Sequence, residues 1–216
     1  MEKTNKLIIV GGGGFCREVI WLARDCATKW DIVGVLDDNP AMLQQTLCGI
    51  KVIGNIADCM NFPDANFVVA VGSPRTRRTI VDRMQLCGDV NFATLIHSSV
   101  LKSDFVEIGV GSIITAGCIL TTQISLGRHS IVNLGCTIGH DVVAGDFCTL
   151  APKIAVSGNV TFGAGVEVGT GSTIIQGLEI GQGSFVGAGA VVSKNIPPNV
   201  LVVGCPARQV KTLEEF

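Results

Sequence analysis

Every sixth position from Ile108 onward is apolar: Ile108, Ile114, Leu120, Leu126, Val132, Ile138, Ala144, Leu150, Val156, Phe162, Val168, Ile174, Ile180, Val186 and Val192. A helix repeats near 3.6 residues and a single strand every second residue, so neither accounts for a period of six. The position four further on is small or aliphatic throughout, from Ser112 and Cys118 to Ala190 and Ile196. The position directly after the aliphatic is glycine at Gly109, Gly127, Gly139, Gly145, Gly163, Gly169, Gly181 and Gly187. One inward aliphatic, one corner and one inward small residue per unit is the hexapeptide pattern of a parallel β-helix. With three units to a triangular coil, residues eighteen apart stack at about 4.8 Å, the spacing of paired strands. The glycines are expected at the corners because the chain turns tightly there.

The first part of the chain is patterned differently. Leu7-Ile8-Ile9-Val10 leads into Gly11-Gly12-Gly13-Gly14 and then Phe15 to Ala23, which reads as strand, glycine turn, helix. Asp31 to Leu36 is a second strand ending on Asp37-Asp38-Asn39-Pro40, and Phe67 to Val71 a third, closed by Gly72-Ser73-Pro74. A helix is predicted from about Arg75 to Leu86, with Ile80, Val81 and Met84 on one face. Strands alternating with helices predict a small parallel α/β sheet. The periodicity changes near residue 92, which divides the chain into an α/β domain, 1–92, and a β-helix with a C-terminal tail, 93–216. Ile196-Pro197-Pro198-Asn199 is expected to end the coil, leaving Val202 to Gln209 as the tail.

Composition narrows the function. A chain 47% hydrophobic and 16% charged has ample core. Its net charge of −2, with no basic cluster interleaved with aromatics, gives no reason to expect nucleic acid. Nine cysteines without a C-x-x-C spacing read as reduced, buried small hydrophobes of a cytoplasmic protein, Cys118 and Cys136 stacking on one inner wall. The run before the glycines is too short for a signal peptide, and no stretch has membrane-spanning length, so no membrane insertion is expected.

Two regions carry candidate chemistry. The dinucleotide fingerprint placed on Gly11 and Gly13 would need glycine where Cys16 stands, and no Gly-Lys-Ser/Thr follows for a P-loop. A glycine turn opening a helix still presents N–H groups to an anion. Asp37 and Asp38 are placed to accept from ribose hydroxyls or a base, and Gly72-Ser73 falls on the same carboxyl edge, so a nucleotide site is expected there. In the coil, His140 falls at an outward corner with Asp141 beside it. Histidine ordinarily titrates near ~6.5, which suits a general base, and a carboxylate can orient the ring. Gly158, eighteen residues on, is expected one rung away, its N–H available to an acyl oxygen. His129 has no acidic neighbour and reads as a surface or subunit-interface residue; His97 reads as a satisfied junction residue. His129 and His140 do not share a stack, so no metal site is expected.

The segment Asn133-Leu134-Gly135-Cys136-Thr137-Ile138-Gly139-His140-Asp141-Val142-Val143-Ala144-Gly145-Asp146-Phe147 resembles the active-site segment of the sialic-acid O-acetyltransferase-like family, which includes nucleotide-amino-sugar N-acetyltransferases of bacterial glycan biosynthesis. The resemblance runs from the four glycines through Asp37-Asp38 to Gly204-Cys205-Pro206-Ala207-Arg208. It implies a small Rossmann-like α/β domain followed by a left-handed parallel β-helix, assembled as a homotrimer with active sites between subunits. It further implies a nucleotide-linked amino sugar held by Gly13, Gly14, Phe15, Asp37, Asp38, Gly72 and Ser73, with Asn133 touching the sugar. His140 would be the base, assisted by Asp141. Acetyl-CoA would lie on Thr149, Gly158, Gly169, Thr170, Gly187 and Ala188, its nucleotide end near Lys194, Gly204, Pro206, Ala207 and Arg208. Members acting in bacillosamine synthesis have histidine at the position of Phe15, an acidic residue at Gly139 and a second histidine at Thr149. The larger apolar Phe15 suits a sugar without a bulky 2-acetamido group.

Taken together, the expected activity is acetyl-CoA-dependent N-acetylation of a nucleotide-linked 4-amino-4,6-dideoxy sugar, in the synthesis of an O-antigen, capsule or glycoprotein glycan. The alternatives are a sugar O-acetyltransferase of the sialic-acid type and a non-catalytic trimeric nucleotide-sugar-binding scaffold, since stacked repeats alone can be structural.

Overall fold

The computed structural model describes residues 5–216, which divide between Ser98 and Ser99 into two compact units. The N-terminal unit runs β1 (Asn5–Val10), α1 (Gly14–Asp25), β2 (Trp30–Leu36), β3 (Thr46–Leu47), β4 (Ile50–Gly54), β5 (Asn66–Val69), α2 (Pro74–Cys87) and β6 (Asn91–Phe92). Its sheet has the order β3-β4-β2-β1-β5-β6, parallel except where β3 turns back on β4. Leu7 to Val10 are fully buried because β1 sits at the centre, with Val10 level with both Leu36 and Val69. The turns after β1, β2 and β5 therefore emerge side by side at one carboxyl edge. The sequence boundary at residue 92 moves to Ser98, since β6 pairs with β5 and Cys26 bridges to His97.

The C-terminal unit is a parallel β-helix of two- and three-residue strands whose register advances eighteen residues per turn. Ile114, Val132, Leu150, Val168 and Val186 form one inner column, Leu120, Ile138, Val156, Ile174 and Val192 a second, and Leu126, Ala144, Phe162 and Ile180 a third, all buried. The coil is longer than the hexads at both ends. Leu101–Lys102 already pairs with Ile119–Leu120, and Val200–Val203 continues the first wall beneath Phe185–Val186. The two prolines do not end it, because Ile196 still pairs with Ile180 and Ser184 Oγ donates to Pro197 O at 2.7 Å. Arg208–Thr212 then folds back antiparallel on Val200–Val203.

Corner glycines serve a purpose other than the turn expected. A Cβ on Gly127 would fall 2.4 Å from the carbonyl carbon of Gly145 on the next rung, so the first corner position is glycine for close approach. Left-handed φ occurs two positions later, at Gly117 and Gly135 and also at His129, Asp141 and Phe147.

The small inward residues share one hydrogen bond. Ser112, Cys118, Cys136, Cys148 and Ser172 each donate to the carbonyl fifteen residues on, at 3.2, 3.2, 3.1, 3.2 and 2.9 Å. Serine and cysteine are thus interchangeable donors here. Burial does not extend to every cysteine, since Cys48, Cys87 and Cys205 are exposed. Nor is His129 a surface residue. It is 3% exposed and stacks on Phe147, ring centroids 5.1 Å apart, in space left by Gly111 in the same column. His97 lies 3.7 Å from Asp25 and tilts against Trp21.

Candidate active site

At the carboxyl edge of the N-terminal sheet, Gly13 caps α1 without a side-chain hydrogen bond, Gly14 opens the helix and Phe15 follows, half-buried. Asp37 is committed to the turns themselves: its carboxylate accepts from Gly12 N at 2.6 Å and Asn39 N at 2.8 Å. Asp38 accepts from Ile56 N at 3.0 Å and pairs with Arg83 at 2.8 Å. Burial pushes its carboxyl up, but the Ile56 N–H and the Arg83 guanidinium outweigh this and hold it below the ordinary value. Ser73 Oγ accepts from Thr76 N and caps α2. Burial, with Asp37 nearby, pushes the Cys16 thiol up to about 12, so it is an inert apolar group under the glycine turn.

Asp37 and Asp38 line a cavity of about 570 Å³, large enough for a nucleoside. Gly13, Gly14, Phe15, Gly72 and Ser73 are not among its walls. Arg75, Thr76, Thr79 and Arg83 are, facing apolar Ile56 and Ile80. These α2 residues were missed in the sequence. The spacing Arg75, Thr79, Arg83 was the signal, because residues four apart share one helix face.

In the coil, His140 Nδ1 lies 2.7 Å from Asp141 Oδ2, with both side chains more than half exposed. Asp141 adopts φ +58, a conformation costly for a residue with a Cβ, and from it the carboxylate reaches back to the ring. With Nδ1–H donating to the carboxylate, Nε2 is the basic nitrogen. The ring lies over Gly158, where a Cβ would fall 2.6 Å from Nε2. The Gly158 N–H donates to no group among the described residues. The register carries this column down through Gln176 to Lys194. At its foot Lys194, Ala207 and Arg208 line a cavity of about 260 Å³. The tail is strapped there: Val191 N donates to Gly204 O at 3.0 Å and Ala207 N to Val191 O at 2.8 Å, around the cis Cys205–Pro206 bond.

Asn133, Gly169 and Gly187 occupy the preceding corner, with Thr170 and Ala188 beside them. Asn133 Oδ1 accepts from Leu134 N at 2.8 Å and Thr115 Oγ1 at 3.3 Å. Thr149 is buried on the wall leading to that corner. One wall of the triangle, up to about 20 Å of extended chain, separates the two corners. A single chain therefore groups His140, Asp141, Gly158, Lys194 and Arg208, and separately Asn133, Gly169, Thr170, Gly187 and Ala188.

Residues 6–84 match the PglD N-terminal domain family. A GDP-perosamine N-acetyltransferase of Escherichia coli O157:H7 is 30% identical over 207 residues, covering 91% of this chain and 81% of that protein. The chain belongs to the hexapeptide-repeat nucleotide-amino-sugar N-acetyltransferases. Among solved structures, PerB from Caulobacter crescentus, in complex with CoA and GDP-perosamine, superposes with a TM-score of 0.87 at 30% identity, over 96% of this chain and 98% of that one. The acetyltransferase domain of PglB from Neisseria gonorrhoeae FA1090, in complex with acetyl coenzyme A, gives 0.89 at 31% identity, over 96% and 100%. Both likenesses span the two units of this N-acetyltransferase. Among the described residues no group of three or more potential metal ligands is clustered, and no helix is long and apolar enough to cross a membrane.

Proposed function

We propose that this N-acetyltransferase moves the acetyl group of acetyl-CoA onto the amine of a nucleotide-linked 4-amino-4,6-dideoxy sugar, by direct attack with His140 as general base. The single observation that carries the reading is the His140 ring, oriented by Asp141 and resting on Gly158. The amine nitrogen attacks the thioester carbon while Nε2 takes its proton. The carbonyl oxygen accepts from Gly158 N–H as negative charge develops. Collapse expels the CoA thiolate, which is reprotonated. Lys194, three rungs below at about 4.8 Å each, and Arg208, on the same cavity, offer positive charge to the nucleotide end of CoA.

GDP-perosamine is the leading substrate, on the strength of the relatives and of Phe15. Perosamine carries a hydroxyl at C2, which a bulky apolar Phe15 accommodates where a 2-acetamido group would crowd it. The 570 Å³ cavity would take the nucleoside. The two separate corners support a homotrimer in which the His140 corner of one copy meets the Asn133 corner of the next. Exposed Leu101 and Ile119 on the intervening wall support the same packing. The product would enter a surface glycan such as an O-antigen, made in the cytoplasm. A thiol-release assay with acetyl-CoA against GDP-, UDP- and dTDP-linked 4-amino sugars tests the assignment.

A further inference from the structure

Three turns converge at the carboxyl edge of the N-terminal sheet, and two are pinned by ionised side chains. Asp37 holds the glycine turn through Gly12 N. Arg77, on α2, holds the turn after β5: its Nη1 donates to Val71 O at 2.7 Å and Gly72 O at 2.8 Å. Arg77 is 1% exposed, the largest of the fully buried side chains among the described residues. Burying a guanidinium is costly unless hydrogen bonds compensate it, and an apolar residue would fill the same volume without that cost. Its placement calls for a local reason.

We propose that Arg77 is a positioning residue for nucleotide-sugar binding, fixing the Val71-Gly72 turn against the glycine turn. The two turns touch: a Cβ on Gly11 would fall 2.8 Å from Val71 Cγ2, and Ala70 N donates to Val10 O at 2.7 Å. Val71 and Gly11 both line the 570 Å³ cavity, and Arg75 and Thr76 enter it directly after the pinned turn. A planar guanidinium bridging two successive carbonyls sets the peptide orientation there, and a displaced turn would move both loops that face the nucleotide. Arg77 touches no reacting atom and acts through the turn. The inference rests on the nucleotide-sugar reading of this cavity.

The test compares Arg77→Met and Arg77→Lys in the full-length enzyme, with GDP-perosamine and acetyl-CoA as probes. Arg77→Met should raise KM and Kd for GDP-perosamine roughly tenfold or more, with kcat at saturation and KM for acetyl-CoA within about twofold of wild type. Arg77→Lys, which keeps a donor and the charge but not the planar group, should recover the loss only in part, leaving the sugar KM about threefold above wild type. Unchanged KM and Kd for the sugar, or a uniform fall in kcat tracking a lost folded fraction, would overturn the proposal. Should Arg77→Met not fold, Arg77→Lys decides: a raised sugar KM at constant acetyl-CoA KM supports it, and two wild-type values contradict it. Wild-type enzyme that binds GDP-perosamine without acetylating it would count against the proposed activity, and the Kd comparison would still judge Arg77.

Discussion

The imidazole of His140 rests on the bare α-carbon of Gly158, one rung below, so close that a methyl group there would fall 2.6 Å from Nε2. The ring is held from one side by Asp141 and from beneath by the absence of a side chain. Gly158→Ala should displace the ring while leaving the flanking pairs of Thr137–Ile138 with Ala155–Val156 in place. Misplacing a catalytic group by an ångström costs on the order of 10²-fold. Gly158→Ala should therefore lower kcat by about 10–100-fold with a near-wild-type melting temperature, checked by steady-state kinetics beside calorimetry.

Asp141 separates catalysis from stability. Its φ of +58 is one that glycine adopts without cost. Asp141→Gly should match or exceed wild-type thermal stability yet lose kcat, because nothing then orients His140. Asp141→Asn, which keeps the geometry but accepts weakly, should lose less. Melting temperature and kcat measured on the same preparations check this, and parallel losses in both would refute it.

Asp38 predicts how the N-terminal unit responds to acid. Its folded pKa lies below the ordinary carboxylate value near 3.8, so the native state binds that proton less readily than the unfolded chain. The stabilisation is present above that value and lost as pH falls through the lower, folded one. Asp38→Asn should be less stable at neutral pH and show a flatter decline below about pH 4. The carboxylate is substantially exposed, so the effect is modest. Denaturant midpoints against pH measure it.

Lys194 and Arg208 stand at the foot of the His140 column. Lys194→Ala with Arg208→Ala should raise KM for acetyl-CoA about five- to twentyfold at low salt and leave KM for the sugar unchanged. Both side chains reach solvent, so the difference should shrink at 0.5 M salt, where the Debye length is only a few ångströms.

The β-helix was legible because one period of six dictates three walls, and each inward position is answered eighteen residues later. Its ends were not. Pro197 and Pro198 look like a stop, yet Ile196 and Val200–Val203 keep pairing with the rungs above. His140, Asp141 and Gly158 could be grouped by counting, since the coil converts sequence offset into distance. The N-terminal edge obeys no such rule. Asp37 is spent on Gly12 and Asn39, and the cavity wall comes from the polar face of α2, whose signal lies in helical spacing and not in any glycine turn. Buried Arg77 was hidden for a physical reason: an arginine in a basic stretch of helix reads as solvated until its carbonyl partners are known.

Thiol release from acetyl-CoA with GDP-perosamine, comparing wild type with His140→Ala and the amine-bearing sugar with its 4-hydroxy counterpart, decides whether His140 drives N-acetylation. Release is expected with the amine only, lowered about 10²–10⁴-fold in kcat by His140→Ala while acetyl-CoA still binds. Equal release with the 4-hydroxy sugar, or wild-type turnover by His140→Ala, would contradict it.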